Sequence, residues 1–235
     1  NNVLNMKKTH IALLSLFLIP LLALNLSAQE NWISLFDGQS LDGWSVHSGQ
    51  AKYWVEDGDI VGQAVPNSPN TFLCTDREYS DFILEFEVLL EDDELNSGVQ
   101  FRSQIAPHEL IFWFRNDKGV YRPTRIPADR VYGYQVEIAA GGGSGGVYDE
   151  ARRAMLPWWP EEGSEERKAF KNQQWNSYRV ECRGDSIKTM INGVVITSFR
   201  DALSDSGIIG LQVHDVGSDP TPYRVRWRNI KLLPL

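Results

Sequence analysis

The 235-residue sequence is poor in cysteine and histidine and carries no net positive charge. Its two cysteines, Cys74 and Cys182, are too few for a disulfide scaffold or a thiolate zinc site. Each lies in an apolar, strand-like context, which leaves two readings open: one disulfide in an oxidising compartment, or two buried free thiols. Acidic residues number 31 against 23 basic ones, for a formal charge of −8. Setting aside the first 28 residues, which carry Lys7 and Lys8 and no acid, lowers that charge by two to −10. Such a surface repels phosphate backbones and anionic membranes, so nucleic acid is not an expected partner. Beyond residue 28 no run is apolar for the 18 or so residues a membrane helix needs, and no membrane span is expected. The chain has no HExxH, no cysteine pair and no other local metal spacing. It also shows no internal repeat and no linker.

What the chain does have begins with a leader. Lys7 and Lys8 precede an apolar run from Ile11 to Leu24, and small residues follow at Ser27 and Ala28. This is the pattern of a secretory signal peptide over residues 1–28, with Met6 a more natural initiator than Asn1 and a mature start near Gln29. No cysteine follows the apolar run, so a lipid anchor is not expected. The product is expected in the periplasm or outside the cell. Residues 29–235 suit a single all-β domain.

Strand patterning is clear in that domain. Phe82, Leu84, Phe86 and Val88 alternate with Ile83, Glu85, Glu87 and Leu89, and Tyr178, Val180 and Cys182 alternate with Arg179, Glu181 and Arg183. Ile191-Asn192-Gly193-Val194 signals a tight hairpin, because asparagine and glycine accept the positive φ angles of a type I′ turn. Tyr223, Val225 and Trp227 mark a closing strand, the natural partner of an early one near Trp32 to Phe36. Two excursions interrupt this pattern. Residues 104–130 mix prolines with Arg115, Lys118, Arg122, Arg125 and Arg130, and residues 155–174 admit one short helix after Gly163. Both are read as rim loops able to wall a cleft.

The stretch from Gly133 to Arg153 is the most suggestive. It opens as a strand in which Tyr134, Val136 and Ile138 face one way and Gln135 and Glu137 the other. Five glycines among residues 141–146 then break the strand and deliver Tyr148, Asp149, Glu150, Arg152 and Arg153 together. A surface salt-bridge cluster is the plain alternative to a functional site.

NSGVQFR (Asn96 to Arg102), GYQVEI, GGVYDEARR, GIIGLQVHD (Gly207 to Asp215) and FDGQSLDGW (Phe36 to Trp44) occur in an order that resembles the bacterial 3-keto-disaccharide hydrolase domain family. The resemblance spans residues 31–235 and departs at Ala139, where many members of that family carry an acid. It implies an all-β, concanavalin A-like antiparallel jelly-roll sandwich acting on oxidised glucosides or disaccharides. In such a sandwich three adjacent strands would present Gln100 with Arg102, Gln135 with Glu137, and Gln212 with His214 on one concave polar face. Val99, Phe101, Val136, Ile138, Leu211 and Val213 would turn to the core.

A ketone at C3 of a pyranose acidifies the C2 hydrogen. A base can then remove that proton, the C1 substituent can leave, and water can add to the product. The candidate bases are His214 and Glu137, the candidate enolate stabilisers Arg102 and Arg153, and the candidate acids Asp149 and Glu150. Gln100, Gln135, Tyr148, Gln212 and the LPWWP pair Trp158 and Trp159 are candidate substrate contacts, one of the tryptophans being free to cap the core. A divalent metal on Glu137, His214 and Asp149 is an alternative to the arginine, with no ligand set fixed by spacing. Two other functions stay open: an ordinary glycosidase using Glu137 with Asp149 or Glu150, and a noncatalytic carbohydrate-binding module.

Overall fold

The structure, a computed structural model, describes residues 31–115, 118–153 and 158–235. The expected leader lies outside the described residues. In chain order the strands are β1 (Ile33–Ser34), β2 (Trp44–His47), β3 (Lys52–Glu56), β4 (Asp59–Gln63), β5 (Thr71–Thr75), β6 (Phe82–Leu90), β7 (Ser97–Ile105) and β8 (Leu110–Arg115). They continue as β9 (Tyr121–Ile126), β10 (Val131–Ile138), β11 (Val147–Glu150), β12 (Asn176–Arg183), β13 (Ser186–Ile191), β14 (Val194–Arg200), β15 (Ile208–Val213) and β16 (Arg224–Pro234). A short 3-10 turn at Glu166–Lys168 stands where the sequence predicts a short helix.

Every pairing is antiparallel. One sheet runs β14-β13-β12-β6-β16-β4-β3, with β1 added against β16, and a second runs β11-β10-β7-β15-β5-β2. β8 and β9 form a separate two-stranded ribbon. The two larger sheets make the jelly-roll sandwich of the concanavalin A-like kind that the resemblance implies.

The core follows from side-chain alternation. β6 buries Phe82, Leu84, Phe86, Val88 and Leu90 and turns the residues between them outward. Each such burial contributes about 1.5–3 kcal/mol, and Phe86→Ala would cost about 3–5 kcal/mol. On the outer face, Arg179 bridges Glu85 and Glu181, Lys231 also reaches Glu85, and Arg228 pairs with Glu87. The Asn192-Gly193 hairpin joins β13 to β14 with φ angles of 50° and 83°, as its sequence predicts. The early strand β1 pairs with β16 at Ile33 and Leu232. Cys74 and Cys182 are both buried and free.

The second sheet departs from the one-sided pattern. β7, β10 and β15 are buried on both faces over most of their length. One face meets the core through Val99, Phe101, Tyr134, Val136, Ile138, Leu211 and Val213. The other carries Gln100, Gln135, Glu137 and Gln212, all nearly closed to solvent.

Excursion 104–130 is more regular than its prolines suggest. Its centre is the β8–β9 ribbon, and Pro123 stands opposite Trp113 on a strand with an open edge, where a missing N–H costs no ladder bond.

Candidate active site

β7 lies between β10 and β15, and its residue Gly98 stands opposite both Glu137 and Gln212. A side chain at Gly98 would run into Gln135, whose Cδ is 2.5 Å from where a Cβ would sit. The glycine therefore lets the Gln135 amide lie across the strand. That amide belongs to a directed chain of hydrogen bonds. The Ser103 hydroxyl donates to Gln100 Oε1 (2.7 Å), Gln100 Nε2 donates to Gln135 Oε1 (2.7 Å), and Gln135 Nε2 donates to Glu137 Oε1 (2.7 Å). Asn96 Nδ2 approaches the other carboxylate oxygen at 3.5 Å. The Glu137 backbone is fixed by the glycine loop, its N–H donating to Gly146 O (2.9 Å) and its carbonyl accepting from Gly145 N (2.8 Å).

Burial pushes the Glu137 carboxyl up to about 7, against the Gln135 and Asn96 donors that favour its ionised form, and the charge of Glu150 adds to the rise. Glu150 is itself raised by burial, partly offset by the Arg130 guanidinium and by Asn70 and His214. Arg130 forms an ion pair with Glu150. Asn70 Nδ2 also approaches Glu150 Oε1 at 3.4 Å, and Asn70 Oδ1 accepts from the Asp215 backbone N–H (2.9 Å) beside His214. The His214 Nδ1 lies 2.7 Å from the Asp215 carbonyl oxygen. A carbonyl can only accept, so Nδ1 carries a proton in this contact.

Asn70, Asn96, Arg130, Gln135, Glu137, Glu150 and His214 line a cavity of about 480 Å³ together with Tyr148, Trp159 and Gln212, whereas the candidate contact Gln100 is buried outside its walls with its amide held by Ser103 and Gln135. Trp159 rests on glycine backbone, because a Cβ at Gly143 or Gly146 would stand 1.9 Å or 2.5 Å from its ring. Gln212 is 0% exposed, yet neither atom of its amide has a hydrogen-bond partner, and Asn96 Oδ1 is likewise unpartnered. A buried amide left unsatisfied costs about 1–3 kcal/mol, so water or a polar ligand is expected to meet these atoms.

Besides Gln100, four of the candidate residues fall elsewhere. Arg102 takes φ 46° at a β-bulge, which turns it away from Gln100. Its guanidinium bonds to Ser80 O (2.7 Å), Gly184 O (2.6 Å) and Asp81 (2.6 Å). Asp149 stands opposite core-facing Tyr134, and Tyr148 opposite Gln135, so strand alternation puts Asp149 on the face away from Glu150. There Asp149 pairs with Arg152 (2.9 Å) and with Arg153, while Arg153 also reaches Asp201 (2.7 Å). Trp158 stacks on Phe199, with ring centroids 3.5 Å apart, and caps the core, leaving Trp159 to the cavity. The trio Glu137, His214 and Asp149 therefore does not converge on a metal position, and among the described residues no group of three His, Cys, Asp or Glu side chains does.

Arg130, Asn70 and Asn96 are the site residues that the sequence reading does not name as candidates. Arg130 sits at the end of the basic excursion and Asn96 opens the NSGVQFR motif. Asn70 precedes β5 and has no local signal.

Residues 31–233 match the model of the 3-keto-alpha-glucoside-1,2-lyase-like domain. No curated protein matches the chain. Among solved structures, a candidate glycosyl hydrolase from Parabacteroides distasonis ATCC 8503 is similar with a TM-score of 0.55 at 18% identity, over 87% of this chain and 94% of that one. The carbohydrate-binding module CBM66 from Bacillus subtilis is similar with a TM-score of 0.52 at 16% identity, over 81% and 95%. A Bacillus subtilis protein of unknown function with a galectin-like fold reaches 0.59 at 10% identity, over 82% and 90%. At such identities these likenesses speak to fold alone.

Proposed function

The chain belongs to the 3-keto-alpha-glucoside-1,2-lyase-like domain family, and on that footing we propose that it cleaves 3-keto-glycosides by removing the C2 proton and expelling the C1 substituent. The observation that carries this reading is Glu137, a carboxyl lining the cavity that burial pushes up to about 7. A carboxyl with that value exchanges protons readily at neutral pH, and a base works best when its pKa lies near the working pH.

In this reading Glu137 takes the proton from C2, and the C–H electron pair moves toward the C3 oxygen as an enolate. Arg130, held by Glu150, supplies positive charge to that oxygen. The enolate then collapses to a C1–C2 double bond and breaks the bond from C1 to the leaving oxygen, which takes a proton from His214 Nε2 when the ring is protonated. Water adding at C1 and a proton returning to C2 complete a net hydrolysis.

Two further readings each have an observation in their favour. Glu137 and Glu150 share one cavity and the charge of Glu150 makes Glu137 harder to ionise, which suits a two-carboxylate glycosidase acting on unoxidised sugars. The unpartnered Gln212 amide suits a binding module. Purified protein incubated with a 3-keto-glucoside and with its parent glucoside separates the three. Release from the keto compound alone supports the proposal, release from both favours the glycosidase, and saturable binding without release favours the module.

The leader expected over residues 1–28 goes with action in the periplasm or outside the cell. Cell fractionation and N-terminal sequencing test this: a processed start near Gln29 is expected, and a full-length cytoplasmic product would contradict it.

A further inference from the structure

The cavity holding Glu137 opens into a second hollow of about 620 Å³, and Asn70, Arg130, Ala151 and His214 line both. The first measures about 480 Å³, so the second has room for another ring of whatever size the first admits. Pro69, Pro127 and Ala128 give it apolar walls, and Ser48, Asp129 and Asp215 give it polar ones. That mixture suits a sugar ring, whose C–H faces are apolar and whose edge is hydroxylated.

Arg125 also lines this second hollow and belongs to the β8–β9 ribbon. There it stands opposite Ile111, and the next pair on the same ribbon face is Trp113 opposite Pro123. Trp113 is 62% exposed, and Tyr121, further along that face, is 63% exposed. The other ribbon face is anchored, Phe112 packing on Tyr132 with ring centroids 5.5 Å apart. An indole held open on an anchored ribbon, with arginines on either side in the same face, offers a flat apolar platform inside a polar surround.

We infer that the two hollows and this ribbon face form one run of subsites for a glycan chain of three or more sugar units, with the reacting ring over Glu137 and a distal ring stacked on Trp113. This rests on reading the first cavity as the sugar pocket. His214 and Arg125 line the second hollow, and Arg125 shares its ribbon face with Trp113; this run favours a glycan over a protein partner, because one extended ligand would touch every part of it.

The test separates binding from chemistry. Gluco-oligosaccharides of two, three and four units, from both the maltose and the cellobiose series, are titrated calorimetrically into wild type, Trp113→Ala and Trp113→Phe. Affinity is expected to rise with length in at least one series. Trp113→Ala should remove about tenfold of the affinity for the longest ligand and leave the two-unit ligand unchanged, while Trp113→Phe keeps most of the gain. Absence of binding or of any length dependence in both series would overturn the inference. So would an equal loss for short and long ligands in Trp113→Ala, or a change in that variant's mass by light scattering, which would make the ribbon a self-association face. If keto-glucosides are not cleaved while the length dependence persists, the proposed chemistry fails and the subsites stand.

Discussion

Asp149 and Glu150 are chain neighbours on one strand, both buried and both paired with arginine, yet they belong to different parts of the molecule. Asp149 faces the sandwich interior, where Arg152, Arg153, Asp201 and the Tyr134 hydroxyl form a network of ion pairs and hydrogen bonds. Glu150 faces a cavity in which Glu137 titrates at about 7 and the Gln212 amide has no partner. A buried ion-pair network rigidifies a fold, whereas a buried carboxyl pushed up toward neutrality beside a hollow is placed to exchange a proton. Charge alone does not separate the two clusters; the hollow that Glu150 lines and Asp149 does not is what separates them.

The largest effect that would break this contrast is expected at Glu137. Glu137→Gln should lower kcat/KM on a 3-keto-glucoside by at least about 10²-fold while leaving a folded protein, and the wild-type kcat/KM should rise with pH through about 7 as the base loses its proton. Near wild-type turnover in the variant would remove Glu137 from the mechanism. A smaller but sharper test compares the neighbours. Glu150→Gln should cost about 10- to 100-fold in turnover by loosening Arg130. Asp149→Asn should instead lower the melting temperature, since breaking a buried ion pair costs about 3–5 kcal/mol, with turnover per folded molecule changed by less than about threefold. Assays of both variants beside their thermal melts would show whether the two faces divide in this way.

That division follows from period-two alternation, yet it is hard to see in a string where YDEARR reads as one charged block. The same rule makes Gln100, Gln135, Glu137 and Gln212 legible as one polar face and Val99, Val136, Leu211 and Val213 as the core. It fails at Arg102 because a bulge with φ 46° inserts an extra residue that composition does not signal. Arg130 and Asn70 escape notice for another reason. They reach Glu150 from positions 20 and 80 residues away in the chain, and only the packing of connecting segments brings them there. The β8–β9 ribbon is obscured by Pro123, which a strand with an open edge tolerates.

Gln212→Ala should raise KM about tenfold with little change in kcat, as expected for a group that binds ground and transition states alike. The loss should shrink on a deoxy-sugar substrate lacking the hydroxyl that the amide meets, because the contact is then already gone. An equal loss on every deoxy analogue would make Gln212 a packing residue.

The smallest expected effect is on stability. The folded Glu137 carboxyl titrates at about 7 against an ordinary 4.5, so between those values the unfolded chain gives up this proton first and stability falls as pH rises. Glu137→Gln removes that loss. Its melting temperature should therefore gain on the wild type between about pH 5 and about pH 8, and a gap constant with pH would contradict the raised value.

Deuterium incorporation at C2 tests the central claim most directly. With a 3-keto-glucoside in heavy water, the wild-type protein should yield product carrying deuterium at C2 well above the enzyme-free exchange rate, and Glu137→Gln should not. Product released by the wild type with no excess deuterium at C2, or deuterium incorporated by Glu137→Gln at the wild-type rate, would contradict proton abstraction by Glu137.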